Sequence, residues 1–297
     1  MHDRIGDRSL SPAPSVTNPD KVLYPRDGLT KTDIVDYYRT VAPVLLRHAA
    51  DRPVVGQRWP DGIDEFTWYQ HRVPPRAPDY LPATWVEGDR RIVLRGEQAL
   101  LWLVNQAVIT FHSWASRVDA LAYPDWVIFD LDPGADTRWP TVVEVARAVR
   151  RALELLELPT VVKTSGQAGL HVLVPLRRGP TGERVQRFAS LIAGTVARLL
   201  PDRVSDSPLP EVRRGRLYLD HLQGFVGKAL VMPYSLRAVD GAPVSTPLRW
   251  EEVDATLDPR ALGRREVLGR LERYGDLAAP LLEGGVDLEP ALDKLGA

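Results

Sequence analysis

The pair of aspartates near the end of the run Asp125 to Pro133 (DWVIFDLDP) is the part of this sequence best suited to chemistry. Asp130 and Asp132 end an apolar segment and are two residues apart. In a β-strand, residues at this spacing point to the same face, so two carboxylates would repel each other unless a cation lay between them. Hard oxygen ligands favour magnesium or manganese. Because aspartate is disfavoured in strands, this position indicates a metal site rather than two solvated acids.

From Trp126 onward the hydrophobic pattern alternates between strand-like and helix-like segments. The expected strands cover residues 126–131, 160–164, 170–175 and 216–220, and the expected helices cover residues 140–156 and 181–200. The order β-α-β-β-α-β is that of the ferredoxin-like, or split βαβ, arrangement that RNA-recognition domains also use. We therefore expect an α+β fold with a ferredoxin/RRM-like catalytic core that follows an N-terminal α/β subdomain.

The rest of the chain has weaker patterns. A helix is expected to begin at Thr30, which can form a capping box with Asp33, and to run to about His48. Residues 52–121 mix short strands and Pro-rich turns with an apolar helix near residues 97–112. We divide the chain into a disordered leader (1–15), an N-terminal subdomain (16–121), a catalytic core (122–257) and a helical C-terminal tail (258–297).

Composition excludes several classes of protein. The chain has 297 residues and no cysteine, which rules out disulfides and thiolate metal sites. A polar N-terminus without an apolar segment gives no sign of a signal peptide, so we expect a cytoplasmic protein. A net charge of −1 is unlike that of many nucleic-acid binders, but a phosphate site needs local rather than global positive charge.

The expected topology brings further polar residues beside the two aspartates. The usual strand order places the first and third strands at the centre of the sheet and the fourth beside the first. Asp130 and Asp132 would then share one open face with His171 and Asp220, while the helices cover the other face. Three carboxylates can hold two divalent ions, which is the machinery of nucleotidyl transfer and also of nucleases.

A triphosphate site would distinguish these two activities. The turn Ser165 to Gly169 offers a hydroxyl and backbone amides that could form an anion nest, and His171 follows it. The same turn could equally be a glycine-rich β-turn next to a core histidine. Basic residues flank the fourth strand, which suits a polyphosphate held against metal ions but also an ordinary solvated face. They are Arg213, Arg214, Arg216, Lys228 and Arg237.

Six motifs between Val16 and Leu262 occur together and in a fixed order. They are NPDKVLYP, TKTDIVDYY, FDLDPG, KTSGQAGLHV, LDHLQ and MPYSLR. In this set the chain resembles the polymerase domain of bacterial ligase D, which belongs to the archaeo-eukaryotic primase superfamily and serves non-homologous end joining. The resemblance implies a polymerase that fills short gaps at DNA breaks, prefers ribonucleotides and uses two divalent ions, manganese or magnesium. It also implies nucleoside triphosphates, DNA ends with a 5′-phosphate, a template strand, Ku and an ATP-dependent DNA ligase as partners, in the bacterial cytoplasm at the nucleoid.

The resemblance also implies roles for single residues. Asp130 and Asp132 match the first metal-binding motif, and Asp220 matches the third metal carboxylate. Ser165 and His171 match the second motif, which holds the incoming nucleotide. The expected additional nucleotide contacts are Arg213, Gln223, Lys228, Arg237 and His112.

A DNA-binding surface is implied in the N-terminal subdomain. Asn18, Lys21 and Lys31 match the residues that hold the 5′-phosphate across the gap, and the helix N-terminus at Lys31 itself favours an anion. Either lysine could instead be ordinary surface. Trp68 and Tyr69 match an aromatic pair that stacks on DNA, although core packing is the alternative because adjacent strand residues point to opposite faces.

The chain departs from the family pattern in three places. Ala168 stands where the second motif commonly has Lys or Arg, so one triphosphate contact is missing. The aromatic pair is Trp-Tyr rather than Phe-Phe. There is no K-x-D-G ligase motif, and the leader and tail favour a stand-alone polymerase over an excised domain. Ala168 keeps a second function open, a catalytically weak DNA-end-bridging module that recruits a ligase, and de novo primer synthesis is a third.

Overall fold

The computed structural model describes residues 15–205, 208–209, 213, 215–223 and 227–296. All but one residue of the expected disordered leader (1–15) therefore lies outside the described residues. The strands are β1 (Val22–Tyr24), β2 (Leu29–Thr30), β3 (Pro53–Arg58), β4 (Trp68–Gln70), β5 (Ala83–Val86), β6 (Asp89–Val93), β7 (Val108–Ser113), β8 (Trp126–Pro133), β9 (Val161–Thr164), β10 (Leu170–Pro175), β11 (Val204–Ser205), β12 (Leu217–Asp220), β13 (Leu230–Val231) and β14 (Pro247–Leu248). The α-helices are α1 (Lys31–Ala49), α2 (Glu97–Asn105), α3 (Trp139–Glu154), α4 (Gly182–Leu199), α5 (Arg264–Tyr274) and α6 (Glu289–Lys294).

The first of two large sheets contains the four strands expected for the catalytic core. Its strand order is β11-β12-β8-β10-β9-β14, with β10 and β12 both antiparallel to β8. The four expected strands thus lie in the order fourth, first, third and second, as the β-α-β-β-α-β pattern requires. The mixed α+β class is confirmed.

Strand β8 divides the two faces of this sheet. Val127, Phe129 and Leu131 pack with α3 and α4 in one buried core, where they meet Val149 and Phe188. Because side chains alternate along a strand, Asp130 and Asp132 must point to the opposite face. The apolar alternation of β8 therefore determines where its carboxylates go.

The second large sheet has the order β13-β7-β3-β6-β5, with β4 paired to β3. Helices α1 and α2 cover one face, where the rings of Tyr38 and Phe111 meet edge to face at 5.0 Å. The capping box predicted at the start of α1 is present, because Thr30 and Asp33 exchange side-chain and backbone hydrogen bonds.

The apolar helix predicted near residues 97–112 is wrong in extent. Helix α2 ends at Asn105, Ala107 has a positive φ of 61°, and β7 begins at Val108. Polar residues at 105 and 106 interrupt the apolar run, and the sequence VITFHS that follows is rich in β-branched and aromatic residues, which favour strands. His112 is consequently a strand residue.

After β12 the chain crosses to the second sheet. Strand β13 pairs with β7, and Met232, Tyr234 and Leu236 lie in the core beneath α1. The domain boundary expected at residue 122 does not reflect this crossing, because it assigns all of residues 122–257 to the catalytic core. The two sheets are also joined by Arg52, whose buried guanidinium lies 3.8 Å from the ring centre of Trp126.

The C-terminal segment packs back on the body of the protein. Arg270 on α5 makes two hydrogen bonds to Glu252, at 2.6 and 2.8 Å, and the backbone amide of Arg249 donates to the same carboxylate. The hydrogen bonds from Arg270 outweigh the effect of burial and lower the pKa of Glu252 from 4.5 to about 2. A search of the described helices finds none long and apolar enough to cross a membrane.

Replacing Glu252 with glutamine should make stability less dependent on pH. A carboxylate whose pKa is lowered by folding stabilises the native state above its unfolded pKa, near 4.5, and loses this contribution as the pH falls toward about 2. The difference in free energy of unfolding between wild type and Glu252→Gln should therefore be largest at neutral pH and shrink below pH 4.5. Urea unfolding across this range measures it, with the exposed neighbour Glu251→Gln as the matched control. An equal difference at every pH would contradict the assignment.

Candidate active site

A cleft of about 710 Å³ lies between the two sheets. Asp130, Asp132 and His171 line it from the first sheet, and His112 and Val231 line it from the second. The face expected to be open is thus covered in part by the second sheet. Further lining residues are Ser165, Gln167, Ala168, Gly169, Gln223, Arg237 and Arg260.

Strand register places a row of polar residues across one face of the first sheet, and two of them, Asp130 and His171, line the cleft. Asp220 on β12 lies opposite Asp130 on β8, which lies opposite His171 on β10, which lies opposite Lys163 on β9. Residues directly opposite each other in antiparallel strands share a face, so all four side chains point toward the same side. The predicted convergence of Asp130, Asp220 and His171 is present.

Asp130 and His171 are in contact. The imidazole Nε2 lies 3.2 Å from the Asp130 carboxylate, and Nδ1 lies 2.7 Å from Nζ of Lys163. Burial and the nearby positive charge of Lys163 lower the pKa of His171 to about 4, so the ring is neutral at pH 7. Burial alone would raise the pKa of Asp130, but the cationic surroundings outweigh it and lower the pKa.

Asp132 is paired with a buried arginine. Nη1 of Arg213 lies 2.9 Å from its carboxylate and 3.0 Å from its backbone oxygen, and Arg213 is only 3% exposed. Burial raises the pKa of Asp132, the Arg213 hydrogen bond opposes that effect, and the neighbouring charges of Asp130 and Asp220 add to it. Burial and the two neighbouring carboxylates together outweigh Arg213, so the pKa of Asp132 is raised.

Asp220 is held by its own loop. Its carboxylate accepts hydrogen bonds from the backbone amide of Leu222 at 2.8 Å and from the amide nitrogen of Gln223 at 2.7 Å. Gln223 also lines the cleft, which places this predicted nucleotide contact directly beside the third carboxylate.

The carboxylates of Asp130, Asp132 and Asp220 are ligands suited to a divalent cation, although each contacts a hydrogen-bonding group of the protein. Among the residues for which coordinates are described, no three His, Asp or Glu groups are arranged to surround a metal ion. Asp130, Asp132 and Asp220 nevertheless share one face and consist of hard oxygen donors, and the charges of Asp130 and Asp220 add to burial in raising the pKa of Asp132. A bound cation would offset this repulsion.

The loop from Ser165 to Gly169 is folded around the Ser165 hydroxyl. That oxygen accepts hydrogen bonds from the amides of Gln167 and Gly169, at 3.2 and 3.1 Å. Two amides expected to form an anion nest therefore donate within the loop. Ser165 itself lines the cleft, as does Ala168.

Arg237 and His112 face the cleft from the side of the second sheet. Nη2 of Arg237 donates to the side-chain oxygen of Gln167 at 3.1 Å. Burial and the charge of Arg237 lower the pKa of His112 to about 3, and its buried Nδ1 has no hydrogen-bond partner in the described part of the protein. Lys228 is exposed and is not among the residues that line the cleft.

The three residues expected to hold a 5′-phosphate are close in the backbone but differ in exposure. Lys21 receives a backbone hydrogen bond from Lys31 and gives one to Asn18. Asn18 is exposed, and Nζ of Lys21 lies 2.7 Å from Asp61.

Lys31 differs from the other two because it is buried. Its Nζ donates to the backbone oxygens of Thr17, at 2.7 Å, and Asn105, at 3.1 Å. Lys31 therefore ties the segment before β1 to the end of α2, and its ammonium is not presented to solvent.

The predicted aromatic pair is divided between two faces of β4. Tyr69 points toward His112, with ring centres 5.7 Å apart. Trp68 lies beneath Arg58, at 4.7 Å, and stacks on Phe66. Phe66 is 78% exposed and was not identified from the sequence, although the run EFTWY contains it.

Sequence reasoning also missed two residues inside the first sheet. Lys163 is fully buried beside His171, and Ser245 accepts its hydrogen bond at 2.5 Å. The lysine within the strand-like run TVVKT could have indicated a buried polar contact, because a lysine is rarely buried without a partner.

Residues 30–278 match the model of the LigD primase-polymerase domain family. The chain belongs to that family. Among similar proteins, the multifunctional non-homologous end joining protein LigD of Mycolicibacterium smegmatis is 35% identical over 272 residues, which cover 90% of this chain and 36% of that protein. The bifunctional non-homologous end joining protein LigD of Bacillus subtilis is 29% identical over 90% of this chain and 44% of its own length. The chain thus spans between about a third and less than half of these relatives.

A solved structure supports the same assignment. The polymerase domain of Mycobacterium tuberculosis ligase D, determined in complex with DNA, superimposes with a TM-score of 0.84 at 32% identity. The match covers 91% of this chain and 98% of that domain. The family is one of primase-type polymerases, which are nucleotidyltransferases, and the matched relatives are named for non-homologous end joining.

Replacing Gly169 with alanine should disrupt the loop at the cleft. A Cβ at this position would collide with the backbone oxygen of Leu131, the residue between the two aspartates. Because backbone must shift to make room, we expect a loss of about 1–3 kcal/mol in the free energy of unfolding. Denaturant unfolding measures it. In Gly179→Ala the added Cβ would meet nothing closer than 3.9 Å, so this control should be nearly neutral.

Proposed function

We propose that this chain is a template-dependent nucleotidyltransferase, a DNA/RNA polymerase of primase type that fills gaps at double-strand breaks during non-homologous end joining. The observation that carries the proposal is the cleft, which Asp130 and Asp132 line from the first sheet, with Asp220 directly opposite Asp130 on the neighbouring strand, and which the cationic Arg237 and Arg260 also line. A polyphosphate with bound divalent cations complements both sets of charges. The volume of the cleft is within the range of about 300–1,000 Å³ that small-ligand pockets occupy.

In this proposal Asp130, Asp132 and Asp220 hold two divalent ions, manganese or magnesium. When bound, such ions activate the attacking 3′-hydroxyl and neutralise charge on the transferring phosphate. Preference for ribonucleotides over deoxyribonucleotides, which the resemblance of the sequence motifs implies, is part of the proposal.

The protein's own groups orient the nucleotide. Neutral His171 presents an Nε2–H donor beside Asp130, and Arg237 offers a cationic donor near the Ser165 loop. Gln223, held against Asp220, is placed to contact the nucleotide on the other side. Arg213 contacts only Oδ2 of the Asp132 carboxylate, so the second oxygen of this carboxylate can hold a cation while the Arg213 contact is kept.

The DNA end is proposed to bind along the N-terminal part of the chain. Asn18 and Lys21 are accessible for a 5′-phosphate, and the exposed Tyr69 and Phe66 can stack on bases. Lys31 supports this surface from beneath. Partners in the proposed reaction are the template strand, nucleoside triphosphates, Ku and an ATP-dependent DNA ligase, in the cytoplasm at the nucleoid.

Loss of a metal carboxylate should abolish extension without abolishing DNA binding. Asp130→Ala and Asp220→Ala should each reduce ribonucleotide addition on a gapped, 5′-phosphorylated duplex by at least about a hundredfold, since ion binding requires the full set of carboxylates. Primer extension with manganese and with magnesium measures the rate, and fluorescence anisotropy measures DNA affinity. Asp293→Ala, on the distant helix α6, is the matched control. Normal extension by Asp130→Ala would refute the metal assignment.

Lys21 should account for recognition of the 5′-phosphate. Lys21→Ala should remove most of the preference for phosphorylated over unphosphorylated gaps, and Asp61→Ala should increase it by freeing the Lys21 ammonium from its 2.7 Å ion pair. Affinity for both duplexes is compared at several salt concentrations, because phosphate contacts release counterions. If both variants keep the wild-type preference, the phosphate lies elsewhere. Lys31 is unsuitable for this test since its removal would also destabilise the fold.

A second function, a catalytically weak module that bridges DNA ends and recruits a ligase, is favoured by Ala168. The residue lines the cleft but supplies no cation. Tight DNA binding without extension at millimolar ribonucleotide and manganese would support this module. Synthesis on unprimed single strands would instead indicate a primer-making enzyme.

A further inference from the structure

Lys163 has no part in the proposed chemistry, yet it is fully buried. It contacts His171, which in turn contacts the carboxylate of Asp130. Burying a cation is costly unless its protons are all used. The Lys163 Nζ lies 2.5 Å from the hydroxyl of Ser245, 2.7 Å from Nδ1 of His171 and 3.5 Å from the backbone oxygen of Thr164. Burial lowers the pKa of Lys163 well below its usual value, yet three polar neighbours surround its amine, and this arrangement requires an explanation beyond packing.

The directions of these hydrogen bonds follow from the chemistry of the partners. Ser245 has a single hydroxyl proton, which it donates to the backbone oxygen of Thr164 at 2.9 Å, so its oxygen accepts from Lys163. A backbone carbonyl can only accept, and so can the Asp130 carboxylate, which lies 3.2 Å from Nε2 of His171. The ring proton therefore lies on Nε2, and Nδ1 of the neutral ring accepts from Lys163.

We propose that Lys163 is a positioning residue that fixes the tautomer and ring orientation of His171, so that Nε2–H always faces the cleft. Cross-strand register supports this role, because Lys163 and His171 are direct partners on β9 and β10 and share the face that carries Asp130. On its other side Lys163 pairs with Pro247, which has no polar side-chain atom to compete.

The consequence concerns the substrate. With Nε2–H fixed toward the cleft, His171 offers a donor that can pass from the Asp130 carboxylate to a phosphate oxygen of the incoming nucleotide. A ring free to rotate, or protonated on Nδ1, would present a lone pair to that oxygen and repel it. This inference rests on the proposed function for its substrate, but the tautomer of His171 is a property of the protein alone.

The test compares Lys163→Met, which keeps the length of the side chain without a donor, with Lys163→Gln, which restores an N–H donor. Long-range 1H–15N NMR spectra of the histidine rings report the tautomer directly, and His171→Gln identifies the signals of His171. Val172→Ala is the matched control, because it removes core volume on the opposite face of β10, the strand that carries His171. Thermal unfolding of all variants separates stability from tautomer.

Wild type and Val172→Ala should show a single Nε2–H tautomer, Lys163→Met a mixture or the Nδ1–H form, and Lys163→Gln partial recovery. In primer extension, Lys163→Met should raise the KM for ribonucleotide about tenfold, as loss of a hydrogen bond to a charged group predicts, with unchanged DNA affinity. A folded Lys163→Met protein with a pure Nε2–H tautomer and an unchanged KM would overturn the proposal. If the wild type extends no primer, the proposed function fails, while the tautomer comparison still decides the role of Lys163.

Discussion

The strict alternation of side chains along β8 is the constraint on which the site depends. Apolar residues at 127, 129 and 131 are needed to close the core against α3 and α4, and this leaves positions 130 and 132 facing the cleft. A slip of one residue would bury both aspartates in an apolar core and expose Leu131. The same strand register is therefore required for folding and for formation of the site. It also sets the positions of Asp220 and His171 on the neighbouring strands.

The carboxylates are balanced by protein donors in three different ways. His171 contacts Asp130 as a neutral ring, Arg213 pairs with Asp132 as a full charge, and Gln223 donates an amide proton to Asp220. Burial makes the contact between His171 and Asp130 worth more than it would be at the surface. A cation at this site would share the carboxylates with an arginine and an amide from residues 213–223.

The sequence was sufficient where a periodic pattern and a topological rule both applied. Asp130, Asp220 and His171 were brought together correctly because strand alternation and the β-α-β-β-α-β order determine their faces. It was insufficient for Lys31, which bonds to Thr17 in an irregular segment, and for Arg213, which itself lies in one. It was also insufficient for the end of α2, where a turn at Ala107 replaces helix with strand. Lys163 was not identified because its role depends on a buried contact with His171, which the hydrophobic pattern of the sequence does not reveal. Lys228 is a different case, since nearness in sequence to the fourth strand did not bring it among the residues that line the cleft, and its contact with the nucleotide stays a prediction.

The return of the chain to the second sheet after β12 has a consequence for how the molecule forms. The core beneath α1 is incomplete until Met232 and Tyr234 arrive, about two hundred residues after the helix they contact; Tyr37, for example, donates a hydrogen bond to the backbone of Tyr234 at a separation of 197 residues. Such long-range closure is slow and couples distant parts of the chain. The core of the second sheet therefore cannot close on a ribosome until residues beyond 230 have emerged, and the cleft between the two sheets is completed only after that.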